Sequence, residues 1–305
     1  MFDFYFAGSQ CPESDAKIVE LGGNRLFSYL LDKTSINKYI EYRKNGWQGK
    51  LIIDSGAFTA HRKDVHIDID DYCNWLNQYQ EHIFKAIVLD HIPGKFGVAR
   101  TAEDVMYAQQ KSYENYCYMV QKVTRPQMIL PVFHQGESLE YLDKYLDFRI
   151  DGKPLDYICI SGMKDLTRQQ RQDWYHTVYD RIANSSNPNV KTHILGSATL
   201  SDAEQFPLTS MDATSWIMTS ASGSILTDYG VVYVSEKGTN LPNHINNMPQ
   251  EAKDNISKYL KSIYMTLDDV CANYKNRTLA NVCYLYNKSR VTEFIGSTIR
   301  RRRLF

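Results

Sequence analysis

Five short apolar runs in this 305-residue chain each stop on a group that hydrogen-bonds or carries charge. LIID ends on Asp54, IVLD on Asp90, LPVFHQ on Gln135, YICISG on Ser161 and Gly162, and SMD on Asp212. The runs have strand length and are rich in β-branched and aromatic residues. Each gives way to turn residues and then to a helical spacing of apolar positions. In a chain that repeats strand, turn and helix in this way the strands run parallel, because the return to the same sheet is made by a crossover helix. The C-terminal ends of such strands converge on one face of a barrel, and so do the polar groups they carry.

The alternation continues along the chain. Strand-like runs occupy 2–7, 26–30, 51–54, 86–90, 128–133, 157–161, 192–195 and 209–212. Helical patterns separate most of them, and Thr101, followed by Glu103 and Asp104, marks the start of the longest. Segment 55–69 reads as a loop. Eight strands in this rhythm predict an α/β fold, a (β/α)8 TIM barrel. A doubly wound sheet is the alternative, but no glycine-rich dinucleotide loop follows the first strand. After Ala213 the pattern changes to a hairpin, GSILTDYGVVYV, and then to two long helices. The expected division is a catalytic barrel with its hairpin over 1–239 and an α-helical extension over 240–305 that packs on it.

Lys plus Arg and Asp plus Glu are both 35, so the chain has no net charge with which to attract nucleic acid at long range. Any such binding must come from local patches. The run Arg300, Arg301, Arg302 and Arg303 is one candidate; it is equally a solvated tail. The six cysteines are dispersed without a CxxC pair, which points to reduced thiols and a cytoplasmic setting. No run approaches membrane-spanning length, so no membrane association is expected.

Taken one at a time, the strand-end positions are ambiguous. Asp54-Ser55-Gly56 is ordinary turn chemistry, or a carboxylate beside a backbone that a ligand can approach closely. Asp90 caps a turn, or accepts two hydrogen bonds from an N–H pair such as the N1–H and 2-amino group of guanine. Gln135 both donates and accepts, which suits a purine O6/N7 edge. Its neighbour His134 is a metal ligand or, more often for a lone barrel histidine, a satisfied core or rim group. Gly162, before Met163, belongs to a tight turn or leaves its amide open to a planar ligand. Asp212 caps a turn, or faces an anomeric carbon as a nucleophile, giving a covalent glycosyl intermediate and retention. Their common placement favours the functional member of each pair, since turn capping gives no reason for such clustering.

In this order the motifs resemble the tRNA-guanine transglycosylase superfamily. DSGAF at Asp54 is similar to that family's DSGGF, LDHIPG to its strand-four aspartate segment, and FHQGE to its glutamine-glycine motif. ISGM is similar to its GGL-type turn, HILG to its strand-seven LMG-type run, and MDAT to its strand-eight nucleophile motif. GSILTDYGVVYV is similar to the GxLFTxxG hairpin that follows. The resemblance runs from Asp54 through Val234.

The resemblance implies that Asp212 attacks C1′ of a guanine nucleotide and that Asp54 is the general acid/base, with Ser55 and Gly56 beside it. Asp90, Gln135 and the Gly162 amide, next to Met163, would read the base edge. A free 7-deazaguanine would replace the guanine without a redox or nucleotide cofactor. The chain departs from the family's CxCxxC-plus-His zinc site, for Cys271 and Cys283 stand apart, so no metal is expected. It also carries Ala57 where the family has a second glycine. A compact member without zinc is similar to the DNA-modifying, DpdA-like branch of phages and bacterial islands. DNA is then the expected partner, in the host cytoplasm for a phage protein. A duplexed base must be extruded first, by the chain alone, as a homodimer, or with a duplex-opening partner.

Three other readings fit parts of the sequence. The same chemistry can act on tRNA. A metal-dependent TIM-barrel hydrolase can be imagined on His134, His193 and Asp212, but the first strand lacks HxH, and His193 is expected near the start of its strand, away from the strand ends. A non-catalytic nucleic-acid binder would not depend on Asp212.

Overall fold

The computed structural model describes residues 2–9, 11–162, 167–196 and 198–296. The first half runs β1 (Asp3–Ala7), α1 (Pro12–Glu20), β2 (Asn24–Ser28), α2 (Lys33–Lys44), β3 (Leu51–Asp54), α3 (Ala57–Lys63), α4 (Ile69–Tyr79), β4 (Lys85–Ile87) and α5 (Ala102–Lys122). It continues with β5 (Ile129–Leu130), β6 (Val132–His134), α6 (Leu139–Asp147), a small hairpin of β7 (Arg149–Ile150) and β8 (Lys153–Pro154), β9 (Tyr157–Ser161) and α7 (Arg168–Ala183). Next come β10 (Lys191–Leu195), α8 (Leu200–Gln205), β11 (Ser210–Ala213), α9 (Ser215–Ala221), β12 (Ser224–Thr227), β13 (Gly230–Tyr233), α10 (Gln250–Ser262), α11 (Leu267–Ala272) and α12 (Tyr274–Val291).

Among the described residues nine strands form one parallel sheet in the order β5-β4-β3-β2-β1-β11-β10-β9-β6. Its two end strands, β5 and β6, are separated in the chain only by Pro131, so the sheet curls into a nearly closed barrel surrounded by helices. Proline has no N–H to donate, and the ladder breaks there: β5 pairs with β4 and β6 with β9. The strands are buried on both faces, as LIID in β3 and YICIS in β9 show, which explains their nearly continuous apolar composition.

Register decides which side chains share the interior. Asp212 lies opposite Tyr5, and Tyr5 opposite Asn24. Ser28 is an even number of residues beyond Asn24 and pairs with Asp54. Side chains alternate along a strand, so Asp212 and Asp54 belong to one face of the sheet. The same parity holds on the other side, where His193 pairs with Ser210 and Cys159, and Ser161 with His134. The floor of the barrel carries a part-buried ion pair. Lys85 is buried and its Nζ lies 2.7 Å from Asp156 and 2.6 Å from the Gln127 carbonyl.

The hairpin β12–β13 builds a second, smaller core with the C-terminal helices, of Ile225, Val232, Val234, Ile256, Leu260, Val270 and Ala280. Helix α12 joins the two cores, because its Val282 and Leu285 pack into the barrel's cluster.

Several local expectations differ from the structure. Segment 55–69, read as a loop, contains α3, whose N-terminus is set by the left-handed Gly56. The first of the two long helices expected after the hairpin breaks into α10 and α11 at Tyr264, which has φ 61°. Helix α2 is entered through Asp32, which accepts the Ser28 N–H at 2.9 Å. None of the six cysteines is paired. Among the described residues, no helix is long and apolar enough to cross a membrane.

Candidate active site

Asp54 closes β3, and its Oδ2 accepts the Gly56 N–H at 3.2 Å. Gly56 has φ +87°, and a Cβ there would meet Leu30 Cβ and Ser28 Oγ, each at 2.7 Å. Only glycine fits this turn. Burial first, and then the charges of Asp90 and Asp212, push the Asp54 carboxyl up to about 7, against the opposing pull of the Gly56 N–H. A carboxyl that feels both other carboxylates must stand close to both. Cys159, buried in β9, gives a second bearing: burial, then Asp212, Asp54 and Asp90, hold its thiol well above the usual range. Register puts Asp54 and Asp212 on one face of the sheet, and the three aspartates share one end of the barrel.

Asp212 is held from below and beside. The Gly196 N–H donates to its Oδ1 at 2.9 Å. His193 Nε2 lies 3.3 Å from the same oxygen, but off the direction of a hydrogen bond. The other nitrogen, Nδ1, contacts Ser210 Oγ at 2.6 Å, and Tyr157 Oη reaches that hydroxyl at 2.5 Å. His193 is thus the middle residue of β10, with its ring under the carboxylate, and not a residue near the start of the strand on the wrong side. Asp212 Oδ2 makes no hydrogen bond among the described residues.

Asp90 lies just past β4, where its Oδ2 meets His134 Nε2 at 2.8 Å. His134 Nδ1 meets Glu137 Oε1 at 3.0 Å, and the His134 backbone N–H donates to Glu137 Oε2 at 2.9 Å. A histidine with a carboxylate on each ring nitrogen is an imidazolium. Burial pulls its pKa down, but the hydrogen bonds from Asp90 and Glu137 outweigh that and raise it to about 10. The cation uses one oxygen of Asp90 and leaves Oδ1 for a ligand.

The remaining predicted positions divide. Gln135 is half-buried in the turn after β6, and its backbone N–H donates to the Ser161 carbonyl at 2.9 Å. Gly162 follows β9, half-buried, on the same rim. Ser55 is fully buried, with its hydroxyl accepting the Ala57 N–H at 3.4 Å, so it shapes the turn and faces no opening. Met163 and Arg300, Arg301, Arg302 and Arg303 lie outside the described residues. Sequence reasoning missed Glu137 and Gly196, although both stand inside quoted motifs, FHQGE and HILG. It also had no means of seeing that His134 joins two carboxylates.

Among the described residues, no three His, Cys, Asp or Glu side chains are grouped to hold a metal ion. A cavity of about 140 Å³ lies elsewhere, between the β12–β13 hairpin and helices α10 and α12. Its charged groups satisfy one another: Asp228 is 2.6 Å from Lys288 and accepts the Tyr284 hydroxyl at 3.0 Å. The strand-end carboxylates, with open oxygens and a raised acid, are the better candidate for chemistry. No protein-family model matches the chain, and comparison with curated proteins finds no significant match.

Proposed function

We propose that this chain is a (β/α)8-barrel transglycosylase that exchanges guanine in nucleic acid, above all DNA, for a 7-deazaguanine. We count β5 and β6 as one strand interrupted by Pro131, which makes eight. The observation that carries the proposal is the meeting of Asp54, Asp90 and Asp212, with Asp54 raised to about 7 by burial and by the other two. A retaining exchange at a sugar carbon needs one carboxylate as nucleophile and one carboxyl that can both give and take a proton near neutrality.

In the first step Asp212 Oδ2 attacks C1′, the glycosidic C–N bond breaks, and the departing guanine takes the Asp54 proton. In the second, the incoming base gives its N9 proton to Asp54. N9 attacks C1′, and the C1′–O bond to Asp212 breaks. Protons and electron pairs balance, and no oxidant or reductant enters. In this reading Asp90 Oδ1 accepts from the N–H groups of a guanine-like edge, while Oδ2 is held by His134 at 2.8 Å.

The direct test is nucleoside mass spectrometry of DNA and tRNA from cells that express the chain and are supplied with a 7-deazaguanine. The modified nucleoside should appear in DNA. Its appearance in tRNA alone would move the substrate, and its absence from both would remove the proposal.

Asp54 also makes a pH prediction. The folded carboxyl is raised to about 7, whereas the unfolded one titrates at about 3.9. The folded state therefore holds more protons between these values, and stability falls as pH rises from about 4 to about 7. Asp54→Asn should flatten that fall, stabilise the chain by about 2 kcal/mol at pH 8, and remove base exchange. Urea unfolding at pH values on either side of the window checks it; an unchanged pH dependence would show that Asp54 is not the buried acid.

A further inference from the structure

We infer that the segment between β4 and α5, together with the basic end of α3, is a docking surface for a single nucleic-acid strand entering the candidate site. The inference builds on the base-exchange proposal only in the choice of nucleic acid; the surface itself is observed apart from it.

The segment follows Asp90 directly and carries large apolar side chains in solvent. Phe96 is 58% exposed, Val98 62% and Tyr107, early in α5, 61%. Lys95 and Arg100 flank Phe96 and Val98, are exposed, and make no ion pair among the described residues. Helix α3, which starts three residues after Asp54, adds exposed Phe58 at its start and His61, Arg62 and Lys63 in its last turn. The two segments leave neighbouring parallel strands at the same end of the barrel, α3 following β3 and the other segment following β4.

The surface is presented on a fixed base. The His91 N–H donates to Ser112 Oγ at 2.8 Å. At the other end Thr101 and Asp104 cap α5 reciprocally, at 2.9 and 3.1 Å. Between these anchors the Val98 N–H closes a turn on the Lys95 carbonyl at 3.1 Å, and Gly94 and Gly97 take positive φ. His91 meets the Tyr107 ring edge-on at 5.2 Å. The turn therefore holds an aromatic ring out of the protein between two unpaired cations.

Exposed aromatic faces next to unpaired cations fit bases that stack and phosphates that follow the chain. A protein-docking patch has an apolar centre depleted in lysine, whereas here Lys95 adjoins Phe96. Neither Asp104, which accepts the Thr101 N–H in the helix cap, nor Asp90, which meets His134, forms an ion pair with Lys95 or Arg100.

The test is fluorescence anisotropy of a labelled single-stranded oligonucleotide and its duplex with the full chain, across a salt series, in parallel with the base-exchange assay. Phe96→Ala should weaken single-strand binding about 5- to 100-fold. Lys95→Ala with Arg100→Ala should reduce the slope of log K on log salt by about 1.4, two phosphate contacts' worth. Thermal midpoints of all variants should match the parent. Parental binding by the variants overturns the inference, and so does a parent that binds no oligonucleotide at low salt, even one that takes up a protein instead. Base exchange with binding indifferent to Phe96 would leave the catalytic proposal standing and end this one. Binding that depends on Phe96 without base exchange in the parent would do the reverse.

Discussion

Asp212→Asn is expected to abolish base exchange, by at least about 10⁴-fold, while leaving the fold intact. The amide oxygen of asparagine still accepts the Gly196 N–H that now holds Asp212 Oδ1 at 2.9 Å, so the local backbone has no reason to move. What is lost is the carboxylate oxygen that would bond to C1′, and with it the covalent step that gives retention. Denaturing electrophoresis of the parent protein with labelled nucleic acid should trap an adduct that the variant lacks. Exchange by Asp212→Asn at a tenth or more of the parental rate would eliminate Asp212 as the nucleophile. The His193 ring beneath it would not substitute, because its Nδ1 is engaged by Ser210 at 2.6 Å and its Nε2 is buried.

The second large effect concerns stability as well as binding. His134→Leu should cost about 3 to 5 kcal/mol at pH 7, the typical result of removing one partner from a buried charge cluster. The loss is large because Asp90 and Glu137 are mostly buried and would face each other without the cation between them, at 10% and 6% side-chain exposure. In the parent protein the sign is set by the imidazolium. Its folded pKa, about 10, lies above the unfolded value of about 6.5. Its contribution is therefore complete below about pH 6.5 and disappears as pH rises through about 10. Urea unfolding of both proteins at acid, neutral and alkaline pH tests this; a cost below about 1 kcal/mol at pH 7 would mean that His134 does not carry the charge.

Much of the framework was legible from local chemistry. The strand-length runs ending on Asp54, Asp90 and Asp212 were visible because strands buried on both faces leave long apolar stretches, and a polar residue at the end of one stands out. Thr101 marked its helix because capping chemistry is local, and the α5 cap forms as expected. Helix α3 was not visible, since it is short, lacks apolar periodicity, and begins on a glycine in a left-handed conformation that sequence reads as a loop. The break at Pro131 was hidden for a different reason. A proline inside an apolar run signals a disrupted ladder, but not that both flanking pieces pair onward with different neighbours.

The charge relations of the site lay beyond any sequence pattern. His134 and Asp90 are 44 residues apart, and their 2.8 Å contact exists only because β4 and β6 both point to the same rim. The sequence by itself determined the kinds of groups at the strand ends and the α/β alternation that brings them to one side, because period, turn residues and caps act within a few positions. The tertiary structure alone decided that Asp54 becomes a weak acid, that His134 sits between Asp90 and Glu137, and that one oxygen of Asp212 is left bare. Those properties arise from burial and from neighbours distant in the chain, and electrostatics in a low-dielectric interior depends on distance in space, not on order along the backbone.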